Sequence, residues 1–273
     1  MSIFTQTISH MQFEGSLRKM ISHLHQPIQY YLKLGGDLIH CNGLLHRTIS
    51  LHFVGYECVA CGSDEKLFRM GFCKKCFFES PHASESIIRP ELSRAHLGQE
   101  ERDLSVEEKI QLVPHTVYLA YTGEVKVGVT RTSQVPTRWI DQGATFAVSI
   151  AQTNNRYEAG MIEVALKSQL SDRTNYKKML RHEYESSLDL DDFRTQSQAL
   201  FPKEYANFFN NEQPIISLDY PYTPPNNIFS FSLDKRPQYS GKLIGIKGQY
   251  LVFEDGAAFN VRGHEGYFIR LTI

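Results

Sequence analysis

The stretch Thr116-Val-Tyr-Leu-Ala-Tyr-Thr-Gly-Glu-Val-Lys-Val-Gly-Val-Thr130 decides the fold class of this chain. It contains two runs rich in β-branched and aromatic residues, 116–121 and 125–130, and such runs are typical of strands. Thr122-Gly123-Glu124 lies between the runs, and a glycine in so short a connection indicates a tight turn. The stretch therefore predicts a β-hairpin.

Helical patterns follow the hairpin. Pro136 suits the first turn of a helix and Gly143 suits its end. Ala159, Ile162 and Leu166 are spaced by three and four residues, so they share one face of a helix. Helices are predicted at four places, the last with a break at Pro202: 136–143, 156–170, 176–187 and 191–209. We place an α/β domain at residues 114–210, within a chain of α+β class.

The remaining segments flank this domain. Residues 1–56 contain alternating apolar and polar runs and are predicted to be β-rich. Residues 211–240 contain five prolines and read as an extended connector. Residues 241–273 contain four short apolar runs separated by glycines, which predicts a small β-meander. The sequence leaves open whether the first and last segments form separate domains or one β-layer.

Four cysteines, Cys58, Cys61, Cys73 and Cys76, form a Cys-x2-Cys…Cys-x2-Cys pattern. Each close pair can direct both thiolates at one metal ion, and tetrahedral Zn²⁺ takes four such ligands. A glycine beside each pair allows tight turns in which backbone amides can point at the sulfurs. The pattern predicts a structural zinc in a ribbon-like or treble-clef-like module at residues 57–90.

Two disulfides in a secreted protein are the alternative for these cysteines. The sequence shows no basic, apolar leader and no run of apolar residues long enough to span a membrane, so we expect a cytoplasmic protein. A chain of 273 residues can bury a core without disulfides. The fifth cysteine, Cys41, is expected to be a small buried hydrophobe rather than a nucleophile.

The overall amino-acid composition says little about which function the protein has. The chain is 41% hydrophobic and 22% charged, with a formal net charge of −1. These values are ordinary for a globular protein and exclude a largely disordered chain. The overall charge gives no sign of nucleic-acid binding, so any such function has to rest on a local site.

Residues 116–180 resemble the GIY-YIG nuclease domain, in which a hairpin carries two short motifs and helices carry an arginine and a glutamate. The first motif corresponds to Thr116-Val117-Tyr118 and the second to Lys126-Val127-Gly128. The arginine corresponds to Arg138 and the glutamate to Glu163, and an asparagine found in many members corresponds to Asn175. Divergent relatives also carry lysine at the start of the second motif.

The resemblance implies hydrolysis of a phosphodiester. Arg138 would hold phosphate oxygens, and Glu163 would bind a catalytic Mg²⁺ or Mn²⁺. Tyr118 would orient the attacking water or accept its proton. Lys126 would act as a base if its pKa were depressed, and otherwise as a phosphate contact. We also assign substrate binding to three residues near these: Gly128, Thr130 and Asn175.

Each of these residues also has a structural interpretation. Glu163 can pair with Lys167 one helical turn away, and Tyr118 can be a cross-strand aromatic. Lys126 can point outward from its strand, and Asn175 can cap a helix. Trp139, the only tryptophan, is expected in the core.

The leading hypothesis is a metal-dependent nuclease acting on DNA or RNA, with a zinc module that helps to position the nucleic acid. A non-catalytic nucleic-acid-binding protein is the first alternative, because lysine replaces tyrosine in the second motif. A protein–protein adaptor is the other. The order of zinc module, GIY-YIG-like segment and β-tail also resembles an uncharacterised family of zinc-binding bacterial proteins, which implies an architecture but no activity.

Overall fold

The computed structural model describes residues 11–170, 174–181 and 189–273. The strands are β1 (Gln12–Ser16), β2 (Ile21–His23), β3 (Gln29–Leu34), β4 (Asp37–His40), β5 (Thr48–Tyr56), β6 (Leu67–Arg69), β7 (Phe72–Cys73), β8 (His115–Tyr121), β9 (Val125–Arg131), β10 (Phe146–Thr153), β11 (Ile216–Ser217), β12 (Phe229–Phe231), β13 (Gln238–Lys247), β14 (Tyr250–Phe253), β15 (Ala257–Asn260) and β16 (Tyr267–Thr272).

The described residues also form short helices. They are α1 (Lys74–Glu79), α2 (Glu85–Ile88), α3 (Leu104–Gln111), α4 (Thr137–Asp141), α5 (Arg156–Leu166), α6 (Tyr176–Arg181) and α7 (Leu190–Leu200). Short 3₁₀ turns lie at Cys41–Leu44, Pro81–Ala83, Pro90–Leu92, Ala95–Leu97, Thr132–Gln134, Lys203–Phe208 and Arg262–His264. None of the helices in the described parts of the chain is long and apolar enough to cross a membrane.

The predicted hairpin is β8–β9, the edge of a four-stranded sheet with the order β11-β10-β8-β9. All seven residues of β8 are buried, so both faces of this strand are covered. Val117 and Leu119 point to one face and pack with Ile162 and Leu166 of α5. Tyr118 points to the other face, because successive residues of a strand alternate in direction.

A seven-stranded sheet joins the two ends of the chain, with the order β1-β16-β5-β13-β14-β15-β12. The strands β13, β14 and β15 pair in sequence, as the predicted meander requires. The last strand differs from that expectation, because β16 inserts between β1 and β5 instead of pairing with β15. β1 and β5 of the first segment therefore form one β-layer with the strands of the last segment, a question that the sequence left open, whereas β2, β3 and β4 form a separate three-stranded sheet.

The two sheets share one hydrophobic core. Tyr118 and Trp139 belong to the same buried cluster as Leu51 of β5 and Leu271 of β16. Trp139 is thus a core residue, as expected, and buried Cys41 belongs to the same cluster. The face of the hairpin that carries Tyr118 is therefore fixed against the seven-stranded sheet.

The cysteine-containing segment is a β-hairpin followed by a helix. β6 and β7 pair, and α1 begins directly after Cys73. Gly71 between the strands has a φ of 79°, and a Cβ atom there would lie 2.5 Å from Val59 Cγ1. A residue with a side chain is strained in this turn, which explains the glycine that precedes the second cysteine pair.

The predicted helices are present with different ends. The helix expected at 156–170 ends at Leu166, and residues 182–187 of the helix expected at 176–187 lie outside the described residues. The helix expected at 191–209 is divided at Pro202 into α7 and a 3₁₀ turn, as proline's missing amide requires. The proline-rich passage contains the short strands β11 and β12.

Candidate active site and metal centre

The four cysteines of the two Cys-x2-Cys pairs lie together. Their sulfur atoms are all within 4.8 Å of one another, and Cys61 Sγ is 3.9 Å from Cys73 Sγ. A tetrahedral zinc ion with Zn–S bonds of about 2.3 Å requires sulfur separations of about 3.8 Å. The cluster is therefore close enough to hold one metal ion.

Backbone amides approach these sulfurs, as the sequence suggested. The amide of Cys73 donates to Cys58 Sγ at 3.2 Å, and the amide of Cys76, in the first turn of α1, donates to Cys73 Sγ at 3.5 Å. Burial raises the pKa of Cys58, but the backbone amides outweigh burial and lower this pKa to about 6. The thiolate is the form that binds a metal, so the local structure favours metal binding at Cys58. Cys76 shifts the other way, because hydrogen bonding with the sulfur of Cys61 raises its pKa to about 12.

A second site is a pocket of about 540 Å³ bounded by β8, β9, α5 and the turns at residues 87–91. Five residues chosen from the sequence line it: Tyr118, Lys126, Gly128, Arg138 and Glu163. They are spread over 46 positions of the chain, from Tyr118 to Glu163. The hairpin, α4 and α5 bring them to one place.

Tyr118 lies directly across the hairpin from Gly128. A Cβ atom on Gly128 would lie 2.6 Å from the Tyr118 hydroxyl oxygen, so the glycine makes room for the phenol. Gln142 Nε2 donates a hydrogen bond of 2.7 Å to that oxygen. Burial raises the pKa of Tyr118, while neighbouring Arg138 and Gln142 oppose the rise. The phenol is therefore neutral near pH 7 and held in place.

Lys126 is buried rather than directed outward to solvent. Its ammonium group donates a hydrogen bond of 2.5 Å to Thr174 Oγ1, just before α6. A buried ammonium group needs such acceptors, because burial of an unpaired charge is costly. The lysine side chain is therefore held in place where it lines the pocket.

Glu163 reaches the pocket from the buried face of α5. Lys167 Nζ lies 3.3 Å from Glu163 Oε2, so the helical ion pair considered from sequence is present. Within the part of the chain that the structure describes, Oε2 forms no hydrogen bond of acceptable geometry, so Glu163 and Lys167 are paired by distance alone. Burial raises the pKa of Glu163, although Lys167 opposes the rise.

A second carboxylate, Glu91, was not found from the sequence. It lines the same pocket and is close enough to Glu163 to raise the pKa of that residue. Its Oε1 accepts a hydrogen bond of 3.2 Å from Arg89 Nε, whereas its buried Oε2 has no hydrogen-bond partner in the described structure. The two glutamates thus bring two carboxylates to one pocket, and that of Glu163 is also paired with Lys167.

Gly160 allows this approach. A Cβ atom on Gly160 would lie 2.3 Å from the backbone nitrogen of Glu91, so only glycine lets the turn at residues 90–92 pack on α5. A glycine inside a predicted helix was the one sequence signal for this contact, because such a residue usually has a packing role.

Two arginines border the pocket. Arg138, from α4, is half-buried. Arg156, at the start of α5, was not found from sequence; its guanidinium donates to the carbonyl oxygens of Ser86 at 2.7 Å and Ile87 at 2.6 Å. Burial lowers the pKa of Arg156 to about 10. Arg156 therefore fixes the opposite wall of the pocket, while Arg138 has no such carbonyl partners within the described residues.

Two predicted substrate-binding residues lie elsewhere. Thr130 lines a neighbouring pocket rather than this one. Asn175 accepts hydrogen bonds from the backbone amides of Lys177 at 3.0 Å and Lys178 at 3.3 Å, so it caps α6. Asn175 does not line the pocket that contains Tyr118.

Comparison with known proteins gives a family without an assigned activity. A protein family described as "Protein of unknown function (DUF2797)" has a sequence model that matches residues 46–269 of the chain. The chain belongs to this family. No curated protein and no solved structure matched the chain.

The part of the chain matched by the DUF2797 model includes both sites. All four cysteines and every residue that lines the pocket of Tyr118 and Glu163 fall within residues 46–269. β1 to β4 precede the matched residues, although β1 belongs to the seven-stranded sheet.

Proposed function

We propose that this protein is a divergent GIY-YIG-type phosphodiesterase that cleaves nucleic acid with the help of a divalent metal ion. The observation that carries the proposal is the convergence of Tyr118, Lys126, Gly128, Arg138 and Glu163 on one pocket. These residues were chosen from short motifs alone, and the motifs do not by themselves require the side chains to meet.

The chemistry of the pocket fits a phosphodiester under attack. Arg138 supplies a permanent charge that can hold two phosphate oxygens. Glu163 and Glu91 supply oxygen ligands, which Mg²⁺ and Mn²⁺ prefer. Among the described residues each has a buried oxygen that forms no hydrogen bond, although Glu163 Oε2 lies 3.3 Å from Lys167 Nζ. A divalent ion bound there would stabilise the charge that develops on the phosphate and its leaving group.

Tyr118 is better suited to orienting the attacking water than to removing its proton. Its raised pKa keeps the phenol protonated at neutral pH, and a group far above the working pH is a poor general base. Lys126 contributes a positive charge held by Thr174, so we assign it to phosphate binding.

The cysteine cluster would hold a structural zinc. All four ligand positions of a tetrahedral ion are filled by Cys58, Cys61, Cys73 and Cys76, whereas catalytic zinc sites keep a position open for water or substrate. The proposed reaction therefore uses a different metal ion, at Glu163 and Glu91.

A cleavage assay tests the proposal. Single- and double-stranded DNA and RNA are incubated with the protein and Mg²⁺ or Mn²⁺, and Arg138→Ala and Glu163→Gln are compared with wild type. We expect both variants to lose 100-fold or more in rate, on the order of one transition-state interaction of about 3 kcal/mol.

Exposed residues of the same types provide matched controls. Arg47→Ala and Glu108→Gln change exposed side chains that do not line the pocket, and they should leave the rate unchanged. The proposal fails if purified wild-type protein cleaves none of the four substrates, or if Arg138→Ala and Glu163→Gln cleave as fast as the controls.

A nucleic-acid-binding protein without catalysis is the second candidate. It is favoured by the Glu163–Lys167 ion pair and by the Lys126–Thr174 hydrogen bond, because both give the motif residues a structural role. This candidate predicts salt-dependent binding of the same oligonucleotides without cleavage under any metal condition.

A further inference from the structure

A second pocket, of about 420 Å³, adjoins the candidate active site. Arg138 and Arg156 line both pockets, so the two share a boundary. The second pocket contains five cationic side chains, and it also contains Thr130, which the sequence assigned to substrate binding. The cationic residues are Lys19, Arg131, Arg138, Arg156 and Arg262.

These charges come from distant parts of the chain. Lys19 lies in the connection between β1 and β2, Arg131 ends β9, and Arg262 begins the 3₁₀ turn after β15. The GIY-YIG-like segment, residues 116–180, supplies only part of this pocket. The seven-stranded sheet therefore brings residues to the pocket that the resemblance does not include.

The positive charge is poorly compensated by protein. Asp141 is the one acidic residue that lines the pocket. It already accepts hydrogen bonds of 2.9 Å from Lys19 Nζ and 2.9 Å from Gln249 Nε2. Among the described residues, Arg131, Arg138 and Arg262 form no ion pair within 4.0 Å.

Neighbouring positive charges in a partly enclosed space repel one another. Arg262 is exposed on one side, but partial desolvation of its guanidinium group and the nearby charge of Arg138 lower its pKa, while Asp141 and Glu265 oppose the fall. Arg138 likewise contributes to the lowered pKa of Arg156. Such a cluster is stabilised when an anion enters, and guanidinium groups match phosphate oxygens in geometry.

We infer that this second pocket is a phosphate subsite, which binds a phosphate group of the substrate other than the one that is cleaved. The inference rests on the proposed phosphodiesterase function. It implies that the substrate has at least two phosphate groups, so that one occupies the pocket of Glu163 while the next contacts Arg131 and Arg262. Arg131 and Arg262 distinguish this subsite from the candidate active site, because both line the second pocket and neither lines the first.

Binding measurements without a divalent metal test the subsite independently of cleavage. Inorganic phosphate and 5′-phosphorylated and unphosphorylated oligonucleotides are titrated into full-length wild-type protein, Arg262→Gln and Arg262→Lys. We expect Arg262→Gln to weaken phosphate binding about tenfold or more. Arg262→Lys should weaken it less, because lysine keeps the positive charge but lacks the planar guanidinium group that can bind two phosphate oxygens at once. Arg47→Gln, an exposed arginine outside the pocket, is the matched control.

The salt dependence gives a second readout. Loss of one phosphate contact on a single strand should reduce the slope of log affinity against log salt by about 0.7. If Arg262→Gln weakens only 5′-phosphorylated ligands, the subsite takes a terminal phosphate; if it weakens both ligands, the subsite takes an internal one.

The two proposals fail separately. If Arg262→Gln is folded and binds phosphate and oligonucleotides as tightly as Arg47→Gln, with the same salt slope, the subsite is refuted, whatever the cleavage assay gives. If Arg262→Gln loses binding while wild-type protein cleaves none of the four substrates, the subsite stands as a phosphate site and the phosphodiesterase function is refuted.

Discussion

The contact between Gly128 and Tyr118 leads to a double-mutant prediction. A Cβ atom on Gly128 would lie 2.6 Å from the Tyr118 hydroxyl oxygen and 2.7 Å from Cζ. The ring would have to move by about 0.8 Å to regain an ordinary contact of about 3.4 Å. Movement is restricted, because Tyr118 is fully buried and its hydroxyl accepts a hydrogen bond from Gln142.

Two effects of Gly128→Ala oppose each other. Overpacking a buried site costs about 1–3 kcal/mol, whereas replacing glycine by alanine within a strand gains about 0.5–1 kcal/mol from backbone entropy. We expect Gly128→Ala to reduce the free energy of unfolding by about 1–2 kcal/mol. In a Tyr118→Leu background the atoms that clash are absent, so the same change should raise it by about 0.5–1 kcal/mol.

Urea unfolding of wild type, both single variants and the double variant measures the coupling. A reversal of sign between the two backgrounds is the expected result, with a coupling energy of about 1–3 kcal/mol. If Gly128→Ala lowers the free energy of unfolding equally in both backgrounds, the glycine does not serve to admit Tyr118, and close approach of a substrate would be the better explanation.

Three further predictions follow from buried or metal-binding groups. Metal analysis should find about one zinc per chain, which Cys76→Ser should remove. Gly160→Ala should weaken Mn²⁺ binding, measured by titration calorimetry, because the added Cβ atom would displace the backbone of Glu91. If helix propensity alone decided the effect of this substitution, it would instead stabilise the protein by about 1 kcal/mol. Burial lowers the pKa of His115 to about 4, below the ordinary value near 6.5. The unfolded state therefore binds the proton more readily, so about 3 kcal/mol of stability is fully present above pH 6.5 and is lost as the pH falls towards 4. His115→Asn should reduce this dependence in unfolding experiments at several pH values.

Local signals in the sequence were sufficient to predict the hairpin and the cysteine cluster. Strand alternation and a turn glycine define β8 and β9, because their pairing partners are adjacent in the chain. The cysteine pattern predicts the cluster for the same reason, since the two pairs lie within 19 residues, Cys58 to Cys76. The ligand geometry then requires only the turn that contains Cys58 and Cys61, one hairpin and one helix turn.

These local signals could not predict the pairing of strands that are far apart in the chain. β16 reads as the next strand of a meander, but it pairs with β1 and β5, more than 200 residues earlier in the chain. Alternation specifies which side of a strand is buried and not which strand is its neighbour. For the same reason the sequence could not associate Glu91 with Glu163, or Arg262 with Arg138.

Residues 85–92 form one wall of the pocket. This wall follows α1 and the cysteine cluster in the chain, yet its own contacts are to other parts of the protein. Arg156 holds the carbonyl oxygens of Ser86 and Ile87, and Gly160 admits the turn at residues 90–92. These contacts do not pass through the cysteines.

Removal of zinc should therefore affect the two regions differently. Without metal, the hairpin at residues 67–73 loses the bonds that hold it, because the four-cysteine segment has only a small hydrophobic cluster of its own. The wall of the pocket keeps its contacts with α5. Hydrogen exchange after chelation should accelerate at residues 58–79 and remain slow in α5, and equal acceleration in both regions would show that the metal supports the pocket directly.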